Sequence, residues 1–78
     1  MNKINAWMEM EEIVIIGIYE NNAVAKLFDI RGSSVLVRNL DKTVTNRINV
    51  NGISSGIYML QVIQNGKRTG IKLQINGK

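Results

Sequence analysis

The sequence predicts an all-β fold, a small antiparallel β-sandwich of about six to seven strands. Short β-branched or alternating runs recur from residue 12 onward, at the roughly eight-to-twelve-residue spacing typical of such folds. Turn-forming glycines and asparagines separate those runs. The pair Asn65-Gly66, set between two alternating segments, is the strongest single signal, because Asn-Gly suits the type I′ turn whose twist matches paired antiparallel strands.

Taken in order, Met1–Met10 carries the weakest pattern. Trp7, Met8 and Met10 fit a short helical turn, an extra edge strand or a disordered leader equally well. On this reading residues 1–11 are an N-terminal leader or linker remnant and residues 12–78 the domain. Glu12–Tyr19 (EIVIIGIY) is β-branched and apolar on both faces, which marks a buried strand. Asn21-Asn22 turns the chain, since asparagine tolerates left-handed backbone. Ala23–Ile30 (AVAKLFDI) is the next strand, with Ala25 and Leu27 on one face and Lys26 and Phe28 on the other.

Asp29-Ile30-Arg31-Gly32 reads as a tight turn, Asp bonding the backbone ahead and Gly supplying positive φ. Ser34–Arg38 returns to complete a hairpin. After the polar connection Asn39–Lys42, Thr43–Val50 alternates, with Val44, Ile48 and Val50 expected inward and Thr45, Arg47 and Asn49 outward. Asn51-Gly52 and Ser54-Ser55-Gly56 break the pattern into a loop. Ile57–Ile63 then places Tyr58, Leu60 and Val62 on one face. Across the Asn-Gly turn, Arg68–Ile75 directs Ile71, Leu73 and Ile75 to the core and Lys72 and Gln74 to water.

Seventy-eight residues allow one domain at most, near the size where a single core becomes marginal. Hydrophobic residues make up 45%, enough for a folded core. With no cysteine there is no disulfide or thiolate metal site, and with no histidine the commonest general base and metal ligand is missing. The cysteine count leaves the compartment open. The longest apolar run, Ile13–Tyr19, falls far short of the roughly 20 residues of a membrane helix. Polar and acidic residues interrupt Met1–Met10, so no export signal is visible; a role outside the cell implies a piece of a longer precursor or a chain whose signal has been removed.

The formal charge of +4 hides an asymmetry. Residues 1–20 hold Lys3 against Glu9, Glu11, Glu12 and Glu20, or 1 − 4 = −3. Residues 21–78 hold nine basic side chains against Asp29 and Asp41, or 9 − 2 = +7. The basic residues are dispersed, with Lys67-Arg68 the longest run, which suits solvated surface better than a phosphate-binding site.

No constellation supports catalysis. Ser33, Ser34, Ser54 and Ser55 sit in turn contexts without a histidine to activate them. Glu9, Glu11 and Glu12 cluster near the N-terminus, Asp29 and Asp41 fall in turns, and no loop gathers the carboxylates a calcium ion needs. The expectation is no enzyme, no metal and no cofactor. One feature stands apart: Ile57, Met59 and Ile63 lie on the nominally solvated face of their hairpin. They invite contact with another strand, domain or protein unless a loop or the N-terminal segment covers them.

Three segments, in order, resemble one known family. Leu27-Phe28-Asp29-Ile30-Arg31-Gly32, within Val24–Val35, is similar to the I-Y-D-x-x-G-x-x-V hairpin of type IX secretion (Por secretion system) C-terminal sorting domains, type A. Ile53–Val62 (ISSGIYMLQV) resembles their L-x-x-G-I-Y-x-L-x-V element, and Asn65–Ile75 (NGKRTGIKLQI) their final N-G-x-x-x-x-x-K-L-x-I hairpin. The match spans roughly residues 23–76. The chain has no proline and so lacks the family's usual Pro-Asn-Pro opening, and Asn76-Gly77-Lys78 extends past the last strand.

The resemblance implies an Ig-like β-sandwich acting as a non-catalytic address at the end of a cargo protein in Bacteroidetes-type bacteria. The cargo would cross the periplasm, meet the outer-membrane secretion machinery, and be released or anchored at the surface, often after a sortase-like peptidase removes the domain. By the same resemblance Asp29, Gly32 and Gly56 belong to turns, Tyr58 packs the core, and Lys72, Leu73 and Ile75 lie in the signal-bearing last strand. The alternative is a small binding or structural module that packs on a partner domain or forms a homodimer through an edge strand, with Ile13–Tyr19 the expected edge. Neither reading involves nucleic acid or a membrane span.

Overall fold

A computed structural model describes residues 3–77, which form seven strands in two antiparallel sheets and contain no helix. The strands are β1 (Asn5–Glu9), β2 (Glu12–Ile16), β3 (Val24–Phe28), β4 (Ser34–Asn39), β5 (Thr45–Asn49), β6 (Gly56–Gln64) and β7 (Lys67–Ile75). One sheet has the order β1-β2-β5 and the other β4-β3-β6-β7. The expected all-β sandwich is therefore observed. Its shortest dimension, 17 Å, suits two sheets packed about 10 Å apart with their outward side chains.

The inner faces meet in one core. Ile13, Ile15 and Ile48 of the three-stranded sheet pack with Ala25, Leu27, Leu60, Val62, Leu73 and Ile75 of the other. Period-2 alternation explains the selection, since each strand sends every second residue inward. Leu27 and Leu60 are paired across β3 and β6 and wholly buried, as Ile13 and Ile15 are on β2.

The N-terminal segment resolves as an edge strand. Residues of β1 pair with β2 from Asn5↔Ile16 to Glu9↔Glu12, and Ala6 reaches the core. The central strand β2 lies between β1 and β5 and sends Ile13 and Ile15 into the core. Val14, on the outer face, is also buried, flanked in its cross-strand row by Trp7 and Arg47. The expectation that Ile13–Tyr19 forms an exposed edge is thus corrected: both hydrogen-bonding sides of β2 are already occupied. The strand also stops at Ile16, because Gly17 takes φ = 95° and the chain leaves the sheet.

Val44 requires a second correction. It is 85% exposed in the bend before β5, while Asn46 takes the first inward position. Asn46 is buried because its amide satisfies the connection from β4: Asp41 N–H donates to Oδ1 at 2.9 Å, and Nδ2 donates to the Asp41 carbonyl at 2.9 Å. The remaining alternation in this segment holds, with Ile48 and Val50 buried.

Both hairpins of the four-stranded sheet form as expected. Gln64 pairs with Lys67 across Asn65 (φ = 52°) and Gly66 (φ = 77°), the positive angles a type I′ turn demands. At the β3–β4 turn, Asp29 Oδ1 accepts N–H groups from Arg31 and Ser33 at 2.9 and 3.0 Å, and Gly32 carries φ = 86°. A bulge at Leu27/Phe28 adjusts the register beside that turn.

A buried amide holds the crossover between the two sheets. Gln64, at the end of β6, is 3% exposed. Its Oε1 accepts N–H groups of Tyr19 and Glu20 at 2.6 and 3.1 Å, and its Nε2 donates to the Gly17 carbonyl at 3.1 Å. The β2–β3 crossover is thereby fastened to the opposite sheet.

Candidate functional site

The outward face of the four-stranded sheet gathers residues that lie far apart in the chain. Alternation places Val24, Lys26 and Phe28 of β3 outward, with Val35 and Val37 of β4 beside them. Across β6 and β7 follow Ile57, Met59, Gln61 and Ile63, then Arg68, Gly70, Lys72 and Gln74. The register fixes one row as Phe28, Met59 and Lys72. At that end the Asp29–Gly32 turn rises beside the sheet and leaves a groove of about 420 Å³, lined by Phe28, Ile30, Ile57, Met59 and Lys72, with Asp29, Gly32 and Tyr58 at its edges.

Four of the residues singled out by resemblance, Asp29, Gly32, Tyr58 and Lys72, therefore border one groove with Ile57 and Met59. Ile63 does not join them; it lies half-buried two rows away, opposite Val24 and Arg68. Leu73 and Ile75 face the core. Gly56 departs from the turn expectation: it is the first residue of β6, paired with Ile75, and is not among the positive-φ glycines. A side chain there would meet the Tyr58 ring at 3.5 Å, an ordinary packing distance.

Tyr58 has an apolar body in the core and a polar tip satisfied locally. Its hydroxyl donates to the Ser54 carbonyl at 2.7 Å, closing the 50–55 loop onto β6. The same loop receives the end of the chain: Gly77 N–H donates to Ser55 Oγ at 2.7 Å, and that hydroxyl donates to the Gly77 carbonyl at 3.1 Å. A Cβ on Gly77 would collide with the Ile53 carbonyl, so Gly77 is held against the sandwich.

Charge is divided between the sheets. The strands β3, β4, β6 and β7 contain Lys26, Arg38, Lys67, Arg68 and Lys72 and no carboxylate. Asp29, in the turn, is committed to its own neighbours. The N–H of Ser33 is the main influence holding its carboxyl below the usual aspartate range, helped by the Arg31 N–H and guanidinium. The three-stranded sheet instead carries a compact cluster that sequence reasoning missed. Arg47 Nη1 lies 3.2 Å from both Glu9 and Glu12, and the Trp7 indole N–H donates to Glu9 at 3.0 Å. The Trp7 bond and then Arg47 depress the Glu9 carboxyl, while the two glutamates raise Arg47. Exposed pairs of this kind contribute little energy each, but this one spans all three strands. A tryptophan two residues before Glu9, with Glu12 close behind and Arg47 at an outward position of an alternating run, was the available signal.

Among the described residues no three of His, Cys, Asp and Glu are grouped to hold a metal ion, and no helix is long and apolar enough to cross a membrane. Against this geometry, residues 10–76 match the model of the secretion system C-terminal sorting domain family. The chain belongs to that family. It is a sorting signal for type IX secretion, a family not known as catalytic, and membership implies a cargo precursor and export to the surface or the medium. The matched region begins in the β1–β2 turn and ends one residue past β7, so it includes every groove residue. No curated protein matches the sequence.

Proposed function

We propose that this sorting domain, carried behind an N-terminal cargo, is read by the outer-membrane secretion machinery through the free edge of β7. The observation that carries this reading is the character of that strand. It has nine residues and lies at the border of its sheet with one side unpaired. Long open edges promote strand pairing, and soluble proteins protect them with charge. Here Lys67, Arg68 and Lys72 disfavour antiparallel pairing with a second copy while leaving the backbone available to a different partner.

The hairpin also fixes which groups are available. In a two-residue hairpin the residues flanking the turn exchange both backbone hydrogen bonds, and the pattern alternates from there. Gln64↔Lys67 is that pair, so Thr69, Ile71, Leu73 and Ile75 bond inward to β6. Arg68, Gly70, Lys72 and Gln74 aim their N–H and C=O groups at the open side. On this proposal Asp29, Gly32 and Tyr58 keep the edge in place by fixing the turn and loop beside it, Gly56 pairs with Ile75 at the start of β6, and Leu73 and Ile75 anchor the edge to the core.

The finer course follows the same reading: transit through the periplasm, docking, then release or anchoring after a sortase-like peptidase cuts upstream of the domain. We place the domain boundary near residue 12, with β1 a preceding strand that packs on it. Homodimerisation through Ile13–Tyr19 is not part of the proposal, because β2 has no free side.

Proline at residue 74 tests the edge. Proline is tolerated where a strand's N–H faces away from its sheet, so Gln74→Pro should leave the domain folded while removing one edge donor and obstructing pairing. Fused to a periplasmic reporter in a competent host, the variant should keep its thermal midpoint within about 5 °C, as for edge changes below about 1 kcal/mol, and lose export. Full export by the folded variant contradicts docking at this edge.

A further inference from the structure

We propose that the groove between Phe28, Ile57 and Met59 docks a protein segment that inserts an apolar side chain and presents a carboxylate to Lys72. The inference rests on the sorting reading above and assigns a second contact to it, on the sheet face rather than the β7 edge.

Of the large hydrophobic side chains that remain exposed, five belong to this face or border it: Ile30, Val35, Val37, Ile57 and Met59. Ile30 is 82% exposed at the rim, where the Asp29–Gly32 turn holds it off the sheet. A folded domain gains nothing internally from presenting these groups together, since each meets water. The recess, about 420 Å³, accommodates one or two side chains.

Charge complementarity selects the partner. Lys72 sits in the same row as Phe28 and Met59. The one carboxylate on the groove, Asp29, already accepts two backbone N–H groups and faces the Arg31 guanidinium at 3.4 Å. Lys26 and Arg68 add positive charge on the same face, and none of its four strands supplies an acid. An acidic segment is attracted and a basic one repelled. A membrane surface fits less well: adhesion to anionic lipid favours a cluster of basic residues, and here Lys72 is the sole cation lining a mainly apolar recess.

The test uses the whole chain fused to a periplasmic reporter, with Lys72→Arg, Lys72→Met, Lys72→Glu and Met59→Lys as variants. All four alter exposed side chains, and a thermal melt of each variant checks that it folds. Export should follow the order Lys ≈ Arg > Met > Glu at residue 72. Lys72→Glu and Met59→Lys should each fall at least about tenfold, the scale of a lost apolar or charged interface contact. If the unaltered chain exports and these variants match it, the groove assignment is wrong and the sorting reading stands. If the unaltered chain does not export, both fall. Binding to phosphatidylglycerol vesicles that Lys72→Glu abolishes, or sedimentation as a dimer that Met59→Lys dissociates, would replace the protein partner by a lipid surface or a second copy and overturn the proposal.

Discussion

Replacing Gly17 with alanine should lower stability by about 3 kcal/mol or more. Two penalties act together. At φ = 95° an L side chain is strained, a cost of about 1–3 kcal/mol. The new Cβ would also strike the carbonyl of Lys3 and lie 2.8 Å from Ile4 Cα, both backbone groups where the chain runs into β1. Neither obstacle is the far end of a flexible side chain, so β1 must move, and its register with β2 and the burial of Ala6 move with it. Urea unfolding monitored by Trp7 fluorescence measures the loss. A change below about 1 kcal/mol would show that β1 is not held against Gly17 as described.

Gln64→Leu should cost about 2–3 kcal/mol. Leucine fills a similar volume but leaves the Tyr19 and Glu20 N–H groups and the Gly17 carbonyl without their partner. Those groups lie beside a residue that is 3% exposed, so water replaces the lost bonds only in part. For a domain of this size the loss corresponds to a fall of roughly 8–24 °C in the thermal midpoint. Amide exchange at Tyr19 and Glu20 should accelerate more than exchange in the distant Asn65-Gly66 hairpin. Equal acceleration at both places would mean that the amide supports the core generally and does not clasp the crossover. The sandwich depends on such a clasp because β2 and β3 belong to different sheets, and nothing in their ladders joins them.

Both residues show where sequence reasoning reached its limit. The strands of the four-stranded sheet were legible because their alternation and their turn chemistry agree: Asp29 and Gly32 close one hairpin, Asn65 and Gly66 the other. The segment Glu12–Tyr19 was legible as buried but not as interior to a sheet. A run apolar on both faces states that both faces are covered and is silent on what lies along its hydrogen-bonded sides. Gly17 sits inside that run, although an isolated glycine in a strand pattern is itself a sign of a break or a close backbone approach.

Gln64 and Asn46 share another lesson. Each continues the inward parity of its strand, Gln64 after Tyr58, Leu60 and Val62, and Asn46 before Ile48 and Val50. An amide at an inward position announces a buried hydrogen-bonding task, but its partners are set by crossovers whose paths the sequence does not state. Val44 continues the same parity and yet is exposed, because the chain has not reached the sheet. The groove followed a similar course. Ile57 and Met59 were legible as apolar on an outward face, whereas their meeting with Phe28, Ile30 and Lys72 required the β3–β6–β7 register.

The central claim is that this chain is itself an address. The most direct measurement is the distribution of a periplasmic reporter in a type IX-competent host, with and without the whole chain at its C-terminus. The account predicts that the bare reporter remains in the periplasm while the fused reporter appears at the cell surface or in the medium. A folded fusion retained in the periplasm, at the level of the bare reporter, would contradict it.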